Sequence, residues 1–312
     1  GLSSLATLLY EGMPLAVGFQ QMISGMSPFS FLAIPFFIFA GEIMMYGGIA
    51  DRIVDFAKSL AGHVRGGLGM SNVLACTLFG GVSGSPVADV SAMGAVLIPQ
   101  MKKEGYHADY AVNVTTHASL VGALMPTSHN LIIFALAAGG KVSIAALILA
   151  GIVPAVLLTV CNLLAAYLVA VKRGYPAGTF PGWAIVWISF KASVPGLAVV
   201  VIIIAGILSG AFTATESASV AVVWALFLSA VVYRRLTREQ FLKAASKAVK
   251  TTGTVLLLIG ISSAFGYFMA LYEVPQKTGD WLQQLSGNQP WLIFLWVNVL
   301  LFLLGTFLDM AA

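Results

Sequence analysis

Charged side chains are scarce in this chain. Lys and Arg number 16 and Asp and Glu 12, only 9% of 312 residues, where a soluble domain carries about a quarter. With 59% hydrophobic residues and a mean hydropathy of +0.94, that shortage excludes a soluble globular fold. The net charge of +4 is too small for a nucleic-acid face, and the basic residues fall in short clusters between apolar runs. Cysteine is rarer still. Cys76 and Cys161 lie inside apolar segments without paired spacing, which excludes a disulfide framework and reads as two packed thiols. No G-x-x-x-x-G-K-[ST] run occurs, so ATP is not bound through a phosphate loop. No nucleophile–base set or metal-ligand spacing stands out, and neither an enzyme nor a cofactor is expected.

What the chain has in abundance is apolar runs. A helical span needs roughly 20 apolar residues, and about eight membrane segments are expected on that measure. Pro28–Tyr46 is the first clear span. Ile49–His63 is amphipathic, with Ile49, Ile53, Phe56, Ala57 and Leu60 on one face, and fits the interface plane. Leu68–Phe79 and Val90–Met101 are each too short to span comfortably. Ala108–Ala138 follows, broken at Pro126, then Ser143–Val171, Pro195–Ser209 and Ser217–Tyr233. A second amphipathic segment, Arg238–Lys250, precedes the span Thr252–Tyr272, and Trp291–Leu304 stops at Gly305-Thr306-Phe307-Leu308-Asp309. The chain opens without a signal peptide and closes at Ala312 just after an apolar run, so both ends are expected to be cuts through a longer protein.

The basic clusters test the topology. If the two short helices form a re-entrant hairpin, Arg65, Lys102 and Lys103 share the cytoplasmic side. Pairs of spans then return Lys172, Arg173, Lys191, Arg234, Arg235 and Arg238 there as well. Lys141 and Lys277 are minor exceptions. On this topology Trp291–Leu304 enters from the opposite face. At a separation of 225 residues Gly41 meets Gly266, Met44 meets Met269, Leu60 meets Leu285, Gly62 meets Gly287 and Gly80 meets Gly305. Broken elements entering from opposite faces are the arrangement of inverted-repeat secondary transporters. The expected fold is therefore an all-α polytopic bundle forming one permease domain over 1–312. Repeat 1 covers about 28–171 and an incomplete repeat 2 about 195–312.

Three breaks carry candidate site residues. Ser83-Gly84-Ser85-Pro86-Val87-Ala88-Asp89 lies between the two short helices. In hydrocarbon, irregular backbone survives only inside protein or beside a wet cavity. Carbonyls at one half-helix end, with the Ser83 and Ser85 hydroxyls, suit a hard cation such as Na+, and the N–H end of the next suits a carboxylate. Asp89 balances the cation or caps the second half-helix; the competing reading is a surface loop with Asp89 exposed. The second break, Pro126-Thr127-Ser128-His129-Asn130, offers Thr127, Ser128 and Asn130 as the other wall, against a plain proline kink healed by hydroxyls. His117 and His129 read as hydrogen-bonded helix histidines or gate residues. Gly305, Thr306 and Asp309 would form an opposing hairpin tip. Glu216 has capping-box spacing from Thr213 and reads first as a helix cap. Glu42, inside the first span, is expected to pair with Arg52 or Arg65 or to meet a partner subunit.

The residues also carry a resemblance. Phe31-Leu32-Ala33-Ile34-Pro35-Phe36-Phe37-Ile38-Phe39-Ala40-Gly41-Glu42-Ile43-Met44 resembles an early signature of the large membrane subunit of tripartite ATP-independent periplasmic (TRAP) transporters. Ser83–Asp89 with Ile98-Pro99-Gln100-Met101 is similar to that family's first hairpin. Ser209–Glu216 and Gly305–Asp309 also fit. Two departures are Met125-Pro126-Thr127 in place of a double proline, and Pro86 in place of a small hydroxyl residue. The resemblance implies a subunit of the bacterial inner membrane that imports an organic acid with Na+ as coupling ion, the acid being a C4-dicarboxylate, sialic acid or another sugar acid. It implies a periplasmic substrate-binding protein and a small four-helix membrane subunit as partners. It also implies an elevator-like motion of two re-entrant hairpins and two broken helices against a scaffold. A self-sufficient Na+/anion symporter of similar architecture, working without a binding protein, is the alternative.

Overall fold

The computed structural model describes residues 1–138, 142–287 and 289–307. Among these, regular structure is entirely helical. Five helices are long and apolar enough to cross a membrane: Phe29–Tyr46, Ile144–Lys172, Trp183–Leu208, Ala214–Val232 and Arg238–Leu271. A sixth crossing comes from Ala108–Leu124 with His129–Ala135, bent by 46° at their break. Two shorter apolar helices are Gly67–Ser83 and Pro290–Gly305, so five or six candidate crossings stand where about eight membrane segments were expected. The chain divides into two compact units, Ser30–Thr252 and Gly1–Phe29 with Gly253–Ala312.

Within Ser30–Thr252, the helix Ala33–Tyr46 packs mainly on Ala214–Leu226. It is followed by Ile49–Ala61, whose Ile49, Ile53 and Ala57 are buried. Leu60 departs from the expected apolar face: it is exposed, and Val54 and Ala61 are buried instead. This 13-residue helix makes side-chain contacts with three separate segments. Asp51 pairs with Arg235 at 3.2 Å, and the Arg52 guanidinium lies 3.6 Å over the Tyr233 ring. Phe56 meets Phe190 with centroids 5.4 Å apart, and Lys58 donates to the Gln100 side chain. A Cβ on Gly196 would come within 2.5 Å of Ile49, so the helix runs alongside Trp183–Leu208 between Phe190 and Gly196.

Gly67–Ser83 and Pro86–Lys103 turn back on each other. Asn72, near the start of the first, reaches Met101, near the end of the second, at 3.8 Å. The open end of this hairpin meets the segment after Ile144–Lys172. The Gly66 N–H donates to the Pro176 carbonyl at 2.9 Å, and Tyr106 and Tyr175 have ring centroids 4.4 Å apart. Arg173 forks onto Asp109 at 3.1 and 2.8 Å. The basic clusters at 65, 102–103 and 172–173 thus gather at the open end of the hairpin.

Several boundaries differ from expectation. The first break narrows to Gly84-Ser85, because Pro86 occupies the first helical position and Ser85 caps it by accepting from the Ala88 N–H at 3.4 Å. Pro195 lies inside Trp183–Leu208 and does not start it. The carbonyls around it stay satisfied, Pro195 accepting from the Trp224 indole at 2.9 Å and Ala192 from the Tyr233 hydroxyl at 3.2 Å. Arg238–Lys250 and Thr252–Tyr272 are one continuous helix, Arg238–Leu271. The weakest helix former at the join is Gly253, which costs about 1 kcal/mol relative to Ala. Cys76 is buried but Cys161 is exposed, so only one of the two thiols is packed.

In the other unit, Leu15–Met26 packs on the 253–271 stretch. A Cβ on Gly260 would come within 2.9 Å of the Met26 sulfur. The Tyr272 hydroxyl donates to the Glu11 carboxylate. The helix ends repeat at the separation seen in the sequence. Ala33–Tyr46 and Arg238–Leu271 stop 225 residues apart, and Ile49–Ala61 returns as Val274–Ser286 at the same spacing. The left-handed residues ahead of the two short helices, Gly48 and Glu273, keep it too.

Candidate functional site

The hairpin turn packs against the broken helix. After Ala108–Ser119 the backbone tightens into a 3-10 turn, Leu120–Leu124. It then runs irregularly through Met125, Pro126, Thr127 and Ser128 before resuming at His129. Pro126 has no N–H to offer a helix. Pro126, Thr127 and Ser128 are buried, and the Thr127 hydroxyl donates to the Gly81 carbonyl at 3.1 Å. That carbonyl belongs to the last turn of Gly67–Ser83, where helical partners run out. A Cβ on Gly84 would fall on the Thr127 carbonyl group, so the two breaks meet backbone to backbone.

Asp89 sits behind this contact. It is fully buried in the first turn of Pro86–Lys103, which is not the exposed cap of the surface-loop reading. One carboxylate oxygen accepts from the Ser83 hydroxyl. The other, Oδ2, has no hydrogen-bond partner. Cβ atoms on Gly80 and Gly122 would approach that oxygen to 2.7 and 2.6 Å, so two glycines from different elements form its seat. Glycine spacing in an apolar helix signals close packing, but not against what, and both seats were missed in the sequence.

The structure therefore brings Ser83, Gly84, Ser85, Asp89, Pro126, Thr127 and Ser128 into one cluster. Asn130 stands at its edge. Its N–H donates to the Ser128 hydroxyl at 3.3 Å, and its side-chain Nδ2 is buried without a partner. His117 is exposed, with Nδ1 2.8 Å from the Asn113 carbonyl. Gly305 and Thr306 belong to the other unit and are exposed, the Thr306 hydroxyl donating to the Phe302 carbonyl at 2.9 Å. Asp309 lies outside the described residues.

Glu42 takes neither expected partner. Arg52 is held by its own Gly48 carbonyl at 2.8 Å, and the Glu42 carboxylate pairs with Lys247 at 2.9 Å. Glu216 is a cap. Its carboxylate accepts from the Thr213 N–H at 2.8 Å, and its own N–H donates to the Thr213 hydroxyl at 3.3 Å.

The hairpin is knit to its neighbours by buried polar bonds. Asn72 donates to Thr115 at 2.6 Å, the Thr77 and Thr159 hydroxyls are 3.1 Å apart, and the Tyr110 hydroxyl donates to the Ala166 carbonyl at 2.9 Å. Hairpin, broken helix and Ile144–Lys172 form one cross-linked body.

A hairpin locked to a broken helix, in a bundle with five to six candidate crossings, is matched by a known sequence family. The profile described as "Tripartite ATP-independent periplasmic transporter, DctM component" matches residues 1–312. This chain belongs to that family. It is a multi-pass membrane permease, not an enzyme, and works with the other components of a tripartite system. The sialic acid TRAP transporter large permease protein SiaM of Vibrio cholerae is 39% identical over 94% of this chain and 68% of its own length. The C4-dicarboxylate TRAP transporter large permease protein DctM of Rhodobacter capsulatus is 33% identical over 95% and 70%. The 2,3-diketo-L-gulonate TRAP transporter large permease protein YiaN of Escherichia coli K12 is 35% identical over 93% and 68%.

Family membership makes the cap separable from the site. Thr213→Ala should lower stability by about 1 kcal/mol and leave transport unchanged. Thermal denaturation in detergent, run beside an uptake assay, checks both halves.

Proposed function

We propose that this DctM-family chain is the large permease of a Na+-coupled transporter that carries an organic acid into the cell across the bacterial inner membrane. A periplasmic binding protein delivers the substrate, and a small four-helix membrane subunit packs beside this one. The observation that carries the reading is Asp89. Its carboxylate is sealed from water with one oxygen unpartnered. The helix N-terminus beside it offers about 0.3–1 kcal/mol, or 2 in buried geometry. An uncompensated buried charge costs several. A cation resolves the difference, and the donors suit Na+: the carboxylate, the Ser83 and Ser85 hydroxyls, and the carbonyls left free where Gly67–Ser83 ends.

The transported acid has one source of recognition in the same cluster, the Val87 N–H at the start of Pro86–Lys103, because Pro86 has none and Ser85 holds those of Ala88 and Asp89. Relatives named for sialic acid, C4-dicarboxylates and diketogulonate support an organic acid as cargo. The common 225-residue spacing of helix ends and left-handed turns supports an inverted repeat, with a second hairpin built around Gly305, Thr306 and Asp309. The cross-linked body of first hairpin, broken helix and Ile144–Lys172 is the part that would move in an elevator step, against a scaffold that includes Ala33–Tyr46 and Ala214–Leu226.

Proteoliposomes holding both membrane subunits test the whole. Uptake of a radiolabelled acid should need an inward Na+ gradient and the binding protein. Uptake without the binding protein would make the permease self-sufficient, and indifference to Na+ would remove the coupling ion. Within that assay, Ser83→Ala should raise the half-saturating Na+ concentration about tenfold, the loss of one charge-assisted hydrogen bond at about 1.4 kcal/mol, with protein abundance unchanged. The same Na+ response in wild type and variant would strike Ser83 from the site.

A further inference from the structure

Beside the hairpin turn lies a cleft that shares Ser83 and Ser85 with the Na+ site and adds the Glu42–Lys247 pair, which that site does not use. The cleft, of about 440 Å³ including its open mouth, is lined by Glu42, Lys247, Ser83, Ser85, Ser91 and Thr251 among other residues. Only about 70 Å³ of it admits a water-sized sphere, room for the carboxylate end of an acid and not for a whole ligand. Its wall carries one cation and one anion, and their exposures are unequal. The Lys247 side chain is 41% exposed, whereas that of Glu42 is only 6% exposed. One Glu42 oxygen holds Lys247 at 2.9 Å; the other, Oε2, is buried without a partner.

These facts fix what the cleft tolerates. An ammonium has three N–H donors, and Glu42 occupies one. Lys247 therefore has donors left for a carboxylate entering from the mouth. The Glu42 charge stands in the wall, only half satisfied by hydrogen bonds, in surroundings where charges act strongly. A second negative charge on the ligand would lie against it, and like charges brought together cost several kcal/mol. Neutral donors such as hydroxyls carry no such cost, and three serine hydroxyls line the same wall.

We propose that Lys247 and Glu42 form a charge filter beside the hairpin turn that accepts organic acids bearing one carboxylate and several hydroxyls and rejects dicarboxylates. Lys247 takes the carboxylate, and Glu42 both orients Lys247 and excludes a second anion. The filter rests on the organic-acid reading above and narrows it to polyhydroxy monocarboxylates.

Titration calorimetry on the detergent-purified transporter in Na+ tests it, with gluconate and N-acetylneuraminate as monocarboxylate probes and succinate and malate as dicarboxylates. The wild type should bind one of the monocarboxylates at least tenfold more tightly than either dicarboxylate. Glu42→Gln should tighten the dicarboxylates about tenfold and move the monocarboxylates less than twofold. Lys247→Gln should weaken every probe that binds. If Glu42→Gln misfolds for want of its ion pair, the neutral double variant Glu42→Gln/Lys247→Gln keeps the shape without the charges, and the preference should vanish there. A ratio of mono- to dicarboxylate affinity that is unchanged in these variants overturns the filter while leaving organic-acid transport intact. Wild-type protein that binds none of the four overturns the filter, whereas organic-acid transport itself stands or falls on the proteoliposome uptake assay.

Discussion

Gly84→Ala should reduce uptake at least tenfold and lower the melting temperature in detergent by several degrees, while Gly105→Ala stays close to wild type. Both glycines have left-handed backbone, with φ of +62° and +85°, and an alanine at either carries a local strain of about 1–2 kcal/mol. The surroundings separate them. A Cβ on Gly105 meets nothing within 4 Å. A Cβ on Gly84 falls on the Thr127 carbonyl and within 2.7 Å of the Ser128 nitrogen. Those are backbone atoms of the broken helix, so no side chain can swing away, and overpacking adds about 1–3 kcal/mol. The displaced segment would also lose the Thr127 bond to Gly81. Equal melting and equal uptake in the two variants would mean that hairpin turn and broken helix are not packed as described.

The breaks were legible in the sequence because Gly, Ser and Pro are costly at membrane depth and therefore conspicuous there. That Gly67–Ser83 and Pro86–Lys103 fold back as a hairpin was legible from the break between them and from Arg65 and Lys102 at its two ends. Helix extents were less so. Polar residues next to Pro86 looked like loop, yet Ser85 and Pro86 are residues that start a helix, so the turn is shorter than its polar stretch. At Thr251-Thr252 the change from polar to apolar looked like a boundary, but a helix crossing from interface to membrane has no need to bend. The partner of Glu42 had no local signal at all. Lys247 is remote in sequence, and only packing decides between it and the nearer Arg52, which its own turn already occupies. The seat of Asp89 is the same kind of information: Gly80 and Gly122 are ordinary small residues until the two elements are brought together.

Asp89→Asn should separate two effects that most substitutions confound. Asparagine has nearly the same shape and removes the buried charge. In Na+-free buffer the variant should therefore melt at or above the wild-type temperature. An unpartnered buried amide between Gly80 and Gly122 costs about 1–3 kcal/mol, and the uncompensated carboxylate it replaces costs more. Added Na+ should reverse the order. A bound ion stabilises the folded protein by RT ln(1 + [Na+]/Kd), about 2.7 kcal/mol at a hundredfold excess over Kd, and the neutral side chain forfeits most of that. Wild type should then gain several degrees where the variant gains little. Uptake by the variant should need at least tenfold more Na+, or fail. The crossing of the two melting curves is the decisive feature, because a residue important only for packing would lower stability in both buffers. Equal stabilisation of both proteins by Na+ would show that the buried acid is neutralised by something other than the ion, and would take Asp89 out of the coupling site.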